Sequence, residues 1–202
     1  LRQAEEEVVA RYPRVSQVDR DGALASAERV EEIVREFILP SCKRASSPGT
    51  PLYELASKNG TLLDMHEDLV VGAAVERILL LANTEDLSGL TAEELVQGGF
   101  CDPIRVMVKQ EPHSEKKMKE KRYRLISSVS LVDQIVERYY ASRQNNFEIN
   151  VWEQIPSCPG IGFDDDVSER LWERMLPAML AGTLAEADVS GWDWSVQGWM
   201  LM

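Results

Sequence analysis

Apolar residues recur at helical spacing along much of the chain. Residues 27–39 set Val30, Ile33, Val34, Phe37 and Ile38 on one face, with Pro40 as a stop, which predicts a core-facing helix. Residues 65–82 are strongly apolar and predict another, with Asp64 as its cap and His66 near its start. Thr91-Ala92-Glu93-Glu94 has the form of a capping box, opening a short helix that Gly98 and Gly99 close. Residues 131–147 carry Ile135, Val136, Tyr139 and Tyr140 at helical spacing. Asp166 with Glu169 predicts a further cap, before a helix through Leu171, Trp172, Met175 and Leu176 that Pro177 kinks or ends. Residues 1–10 are acidic and predict a fraying helix.

The pattern turns to alternation elsewhere. Residues 104–108 read as a strand, and Arg122-Tyr123-Arg124-Leu125-Ile126 as a second with both arginines on one face. The charged stretch between them then joins two strands. Residues 184–189 predict a third. Loops are expected over 46–52 and 156–162, where Pro and Gly cluster. Helices with a few short strands make the expected fold class α+β.

The chain's 202 residues suffice for a sizeable core. A net charge of −12 argues against a surface generally adapted to nucleic acid, though not against one basic channel. Such a local excess exists. Residues 105–124 hold eight cations (Arg105, Lys109, Lys116, Lys117, Lys119, Lys121, Arg122, Arg124) against Glu111, Glu115 and Glu120, a local charge of +5. This is either a solvated face or a finger suited to phosphate, which Arg binds bidentately and Lys as a point charge. Glu111 is placed to hold one of the cations, and His113 reads as a loop residue. Cys42, Cys101 and Cys158 form neither a metal spacing nor a disulfide framework, which points to a reducing compartment. No apolar run of spanning length marks a membrane anchor. The chain begins at Leu1 and its last residue, Met202, falls in an apolar stretch; it is expected to be an excerpt of a longer protein.

At the end of the expected third strand, Asp188 and Asp193 stand five residues apart across Ser190-Gly191, with Trp192, Trp194 and Trp199 around them. A carboxylate at a strand end is costly unless a cation or donors meet it. Asp188 is therefore a candidate ligand for a hard metal ion; the alternative is a cap for a helix beginning near Ser195.

Three segments in this order resemble the RNA-dependent RNA polymerases of positive-strand RNA viruses, nearest the sobemovirus and polerovirus group. Ser47-Pro48-Gly49-Thr50-Pro51-Leu52 is similar to the template-entry loop, motif G. Lys109-Gln110-Glu111-Pro112-His113, continuing through Arg122-Tyr123-Arg124-Leu125-Ile126 to Asp133, resembles motif F and the finger helix after it. Asp188-Val189-Ser190-Gly191-Trp192-Asp193 resembles motif A of the palm.

The resemblance implies a right-hand polymerase cut to its fingers and first palm strand. Residues 1–45 would form an N-terminal helical region, 46–183 the fingers and 184–202 the start of the palm. Asp188 would be the catalytic carboxylate that binds metal, Mg²⁺ or alternatively Mn²⁺. Asp193 would recognise the ribose 2′-hydroxyl, where reverse transcriptases carry a bulky aromatic. Lys109, Lys117, Arg122 and Arg124 would hold the nucleotide phosphates, and Ser47, Pro48 and Gly49 would border the template RNA. Partners would be template and product RNA, ribonucleoside triphosphates and the remainder of the polymerase, in a replication complex in the host cytoplasm. Phosphoryl transfer suits such a set, because it needs charge neutralisation and in-line positioning more than covalent help. Motifs B to E and the thumb would lie beyond Met202, so these residues alone are expected not to polymerise. The competing readings are a non-catalytic RNA-binding or protein-interaction module using the 105–124 finger, and a helical structural segment whose two aspartates are caps.

Overall fold

A computed structural model describes residues 2–12, 26–158 and 160–188. The chain divides into two compact units, residues 1–150 and 151–202.

In the first unit, α1 (Arg2–Val9) precedes α2 (Ala27–Ile33). Ser26 caps α2 by accepting the Arg29 N–H. The helix then loosens into a π turn, Val34–Ile38, and tightens into a 3₁₀ turn, Leu39–Ser41. The Leu39 N–H reaches back five residues to the Val34 carbonyl. That wider turn rotates the apolar face: Val34 and Ile38 are buried, but Phe37, expected in the core, is 66% exposed. Pro40 does not stop the chain's winding either. It sits in the first turn of the 3₁₀ segment, where a missing N–H costs little.

Helix α3 (Asn59–Ala82) starts six residues before the expected position. Asp64 is therefore inside it, paired with Arg44 instead of capping. His66 has non-helical angles (φ −141°, ψ 33°), so the helix is kinked where the sequence pattern suggests a start. The buried Asn59 anchors the entry: its Nδ2 donates to the Lys43 carbonyl at 3.0 Å and its N–H to the Ser46 carbonyl at 2.8 Å.

The core forms where α3 meets the earlier helical segment and α6 (Leu131–Asn150). Val30, Val34 and Ile38 pack with Leu62, Val70, Val71, Ala74 and Ile78 of α3, and with Leu131, Val132, Ile135 and Val136 of α6. Each such large side chain contributes about 1.5–3 kcal/mol by leaving water. Tyr139 and Tyr140 lie at the margin, and the Tyr140 hydroxyl donates to the Ile78 carbonyl at 2.9 Å. Between α3 and α6, α4 (Ala92–Gln97) has the capping box its sequence predicts. Thr91 Oγ accepts the Glu94 N–H, Glu94 accepts the Thr91 N–H, and Gly98 ends the helix.

The basic stretch is a hairpin. Strand β1 (Arg105–Val108) pairs antiparallel with β2 (Leu125–Ser128), Arg105 opposite Ser128 and Val108 opposite Leu125. The second strand begins three residues later than the alternation suggests. A short helix, α5 (Glu115–Lys119), occupies the connection, and Lys121 turns the chain at φ 54°. Arg122 and Arg124 therefore precede β2; one further bond, from the Lys109 N–H to the Arg124 carbonyl at 2.8 Å, extends the pairing.

Two fastenings hold the root of this hairpin. The first is a buried ion cluster. The Arg77 guanidinium of α3 forks onto Asp102, with both N–O distances 2.9 Å, reaches Asp133 Oδ1 at 2.5 Å and donates to the Gly99 carbonyl. Asp133 Oδ2 accepts the Asp102 N–H at 2.9 Å. Burial alone would push the Asp102 carboxyl upward. Its hydrogen bonds with Arg77 and Ser130 and the Arg77 charge outweigh that and hold it below the usual carboxylate range. The second fastening is the 46–52 loop. The Pro48 carbonyl accepts the Leu131 N–H at 2.8 Å. Gly49 has φ +71°, and a Cβ there would stand 2.8 Å from both Ser130 Cα and the Val129 carbonyl oxygen. Just beyond, the Arg105 guanidinium lies 4.3 Å from the Tyr53 ring centroid.

In the second unit, Asp164, not Asp166, caps α7 (Asp165–Leu180), accepting the Val167 N–H at 2.9 Å. Asp166 instead lies 3.3 Å from Arg170 one turn on. The helix nevertheless continues past Pro177 to Leu180, with the bond that a Pro177 N–H would have made four residues back missing from its ladder. Arg170 and Arg174 lie over the ring of buried Trp152, and Arg174 donates to the Trp152 and Ile155 carbonyls. Residues 183–188 form no strand, contrary to the expectation for 184–189; Val189 lies outside the described residues. A strand needs a ladder partner, and among the described residues of this unit there is none.

Gly49→Ala is expected to destabilise the folded chain by about 3 kcal/mol, from the left-handed backbone and from overpacking against Ser130; urea denaturation measures it, and a change within about 0.5 kcal/mol would contradict the packing described. Because the Asp102 pKa is lower folded than unfolded, its stabilising contribution is complete above about pH 4 and fades as the pH falls through the folded value. Asp102→Asn should therefore cost about 3 kcal/mol near neutrality and less at pH 3. Denaturation midpoints across that range test this, and a gap independent of pH would refute it.

Candidate functional site

The chemistry-bearing cations sit where the hairpin leaves its ladder. Lys109 follows β1 and Arg124 precedes β2, so the two backbones face each other. Glu111 lies between their side chains: Lys109 Nζ is 2.8 Å from one carboxylate oxygen and Arg124 Nη1 3.2 Å from the other. The Lys109 hydrogen bond, with the charges of Arg124 and Lys109, holds the Glu111 carboxyl below its ordinary range. One ionised acid thus orients two cations without neutralising both. Arg124 is 62% exposed and Lys109 40%, leaving donors open to an anion.

The other predicted phosphate ligands are not drawn into this pairing. Arg122 donates to Glu120 at 2.6 Å, and Lys117 is exposed on α5. His113 packs edge-on against Tyr123, with ring centroids 5.5 Å apart, a packing role within the loop. In the 46–52 loop, Pro48 and Gly49 are buried against the start of α6, while Pro51 and Tyr53 are exposed. Ser47 is half-buried, and its Oγ accepts the Gly49 N–H at 3.4 Å. The loop therefore meets the hairpin root with Pro48 and Gly49, the core with Leu52, and solvent with Pro51.

Asp188 is exposed at the end of an irregular segment. Asp193, the tryptophans Trp192, Trp194 and Trp199, and the expected helix near Ser195 lie outside the described residues. Among those described, no group of three or more His, Cys, Asp or Glu could hold a metal ion. Asp188 has the hard oxygen donors that Mg²⁺ prefers, but a hard cation takes six or more ligands. The described residues do not by themselves fit a metal.

Sequence reasoning missed the Arg77–Asp102–Asp133 cluster and the stacking of Arg105 on Tyr53. A signal existed for the first: Glu76-Arg77 is the sole charged pair in the apolar run 69–82, and a charge there needs a partner.

A family model described as viral RNA-directed RNA-polymerase matches residues 19–202. The replicase polyprotein P2AB of Southern cowpea mosaic virus is 41% identical over 204 residues, covering 100% of this chain and 21% of the relative. That of Southern bean mosaic virus is 46% identical over 172 residues, 85% of this chain and 18% of the relative. The RNA-directed RNA polymerase of Mushroom bacilliform virus is 41% identical over 169 residues, 83% of this chain and 40% of the relative. The chain thus spans about a fifth of the two replicase polyproteins it matches. No solved structure matches it. With the hairpin, its paired cations and the matched span all in one stretch, the chain belongs to the family of viral RNA-directed RNA polymerases.

Proposed function

We propose that this chain is the fingers region and the opening of the palm of a polymerase that copies RNA from ribonucleoside triphosphates. The observation that carries the reading is the convergence of Lys109 and Arg124 on Glu111, at the neck of a hairpin charged +5 in a chain of −12. Family membership supports the same reading. Lys109 and Arg124 bind the triphosphate of the incoming nucleotide; Lys117 and Arg122 add positive potential along its approach. Ser47, Pro48 and Gly49 border the path of the template RNA, in a loop held beside the hairpin by the packing of Pro48 and Gly49 on the start of α6. Asp193 accepts a hydrogen bond from the 2′-hydroxyl, the group by which RNA differs from DNA.

Polymerases of this family work with divalent metals. In the complete protein, Asp188 is proposed as one oxygen ligand for Mg²⁺, or Mn²⁺ in its place. When bound there, such ions would supply charge neutralisation at the reacting phosphoryl group. The remaining ligands are proposed to come from the rest of the polymerase, which also completes the RNA channel. The proposed setting is a replication complex in the host cytoplasm. Among the described residues, no helix is long and apolar enough to cross a membrane.

In the complete polymerase, Asp188→Ala should lower nucleotide addition about a thousandfold or more with RNA binding kept, and residues 1–202 alone should incorporate none. A template-dependent incorporation assay checks both; normal addition by the variant would overturn the assignment of Asp188, and Asp188-dependent addition by the isolated chain would overturn the expectation that it is inactive alone. Arg124→Ala should raise the nucleotide KM about tenfold, equivalent to about 1.4 kcal/mol, with a smaller change in kcat. Steady-state kinetics at saturating template reads this, and an unchanged KM would remove Arg124 from the clamp.

A further inference from the structure

The ion cluster around Arg77 lies outside the proposed phosphate clamp, yet its chain positions tie it to the hairpin. Asp102 stands three residues before β1 and Asp133 five residues after β2. Each leg of the hairpin thus enters the body of the unit beside one carboxylate, and both carboxylates meet the same guanidinium of α3. Asp133 closes the circuit by accepting the Asp102 N–H, and the Ser130 hydroxyl oxygen accepts the Asp133 N–H at 3.0 Å. The side chains of Arg77, Asp102 and Asp133 are only 11%, 14% and 16% exposed, so neither leg can shift without uncovering a charge.

A buried ion triad adds little stability over apolar side chains of the same volume. What it adds is the fixed relative placement of three segments. That placement matters at the clamp. Lys109 is seven residues from Asp102, a lever of ~20 Å at ~3.3 Å per residue in extended chain. A tilt of ~5° at the root would move Lys109 by ~2 Å, enough to break a hydrogen bond to phosphate, whose donor–acceptor distance spans only ~2.7–3.2 Å.

We infer that Asp133, through Arg77 and Asp102, is a positioning residue that sets the aim of Lys109 and Arg124 at the nucleotide phosphates. The inference rests on the reading of the hairpin as a phosphate clamp. It assigns Asp133 no contact with substrate. Its carboxylate holds the two roots at one spacing, and that spacing fixes where the clamp lies relative to the rest of the fingers. Arg77 cannot be replaced by lysine in this role, because only the guanidinium fork spans two carboxylates.

The test uses the complete polymerase, with nucleotide KM, kcat, RNA affinity and melting temperature measured for Asp133→Asn, Arg77→Lys, Arg124→Ala and the Asp133→Asn/Arg124→Ala double variant. Asp133→Asn and Arg77→Lys should each raise the nucleotide KM about tenfold, with RNA affinity within about twofold of the parent. The loss in the double variant should fall well short of the product of the two single losses, because one of the two cations that Asp133 positions is already removed. If Asp133→Asn does not fold, Arg77→Lys and its combination with Arg124→Ala carry the same expectations. A folded variant with unchanged KM, or losses that multiply in the double variant, would overturn the positioning role while leaving the clamp intact. If Arg124→Ala itself leaves KM unchanged, the clamp reading fails, and the inference with it.

Discussion

A guanidinium buried beside two carboxylates constrains everything around it. Arg77 is carried on α3, the helix that contributes most to the core, so its position is set by the packing of Val70, Val71, Ala74 and Ile78. Once there it must be paired, since an uncompensated charge at that depth costs several kcal/mol. The partners it finds, Asp102 and Asp133, lie on either side of the hairpin in sequence. The requirement to neutralise one cation thus becomes a requirement on where two strands begin and end. Gly49 and Pro48 seal the same junction from the other side, with backbone in contact with backbone.

The hairpin extending from that junction uses its charges differently. At the root, opposite charges are buried and matched in a tight group. Toward the tip they are exposed, unequal in number and only partly matched, so the surplus is available to an outside anion. Glu111 marks the transition: it is ionised, it engages Lys109 and Arg124 together, and it leaves both cations with further donors. Matched charge near the core and unmatched charge beyond it give the hairpin a fixed base and a surface attractive to phosphate.

The features legible in the sequence were those decided by neighbours along the chain. The Thr91–Glu94 box, the α6 face of Ile135 and Val136, and a basic connection between two strands all follow from local spacing, and all are present. The misreadings occurred where distant contacts or a small change of winding decided. A π turn moved Phe37 out of the core. Asp64 went to Arg44 rather than to a cap, and Asp164 took the position that Asp166 shares by residue type. Residues 184–188 have strand-like composition but no ladder partner among the described residues. At the candidate site, the clustering of cations was visible as a local charge excess. Asp102 and Asp133 were not, because each alone looks like any acid, and only the fold brings them to one arginine.

Among the described residues the two-stranded sheet has an open edge on each side, and Val106, Val108 and Leu125 on one face are about half exposed. An edge of this kind accepts another extended chain, including a second hairpin of the same sequence. Here the surplus of cations acts as a guard, since two copies approaching edge to edge would bring like charges together. The guard is only as strong as the charge is bare. Polyanions, or high salt, would quench it, so self-association of this hairpin is governed by the same ions that its basic residues attract.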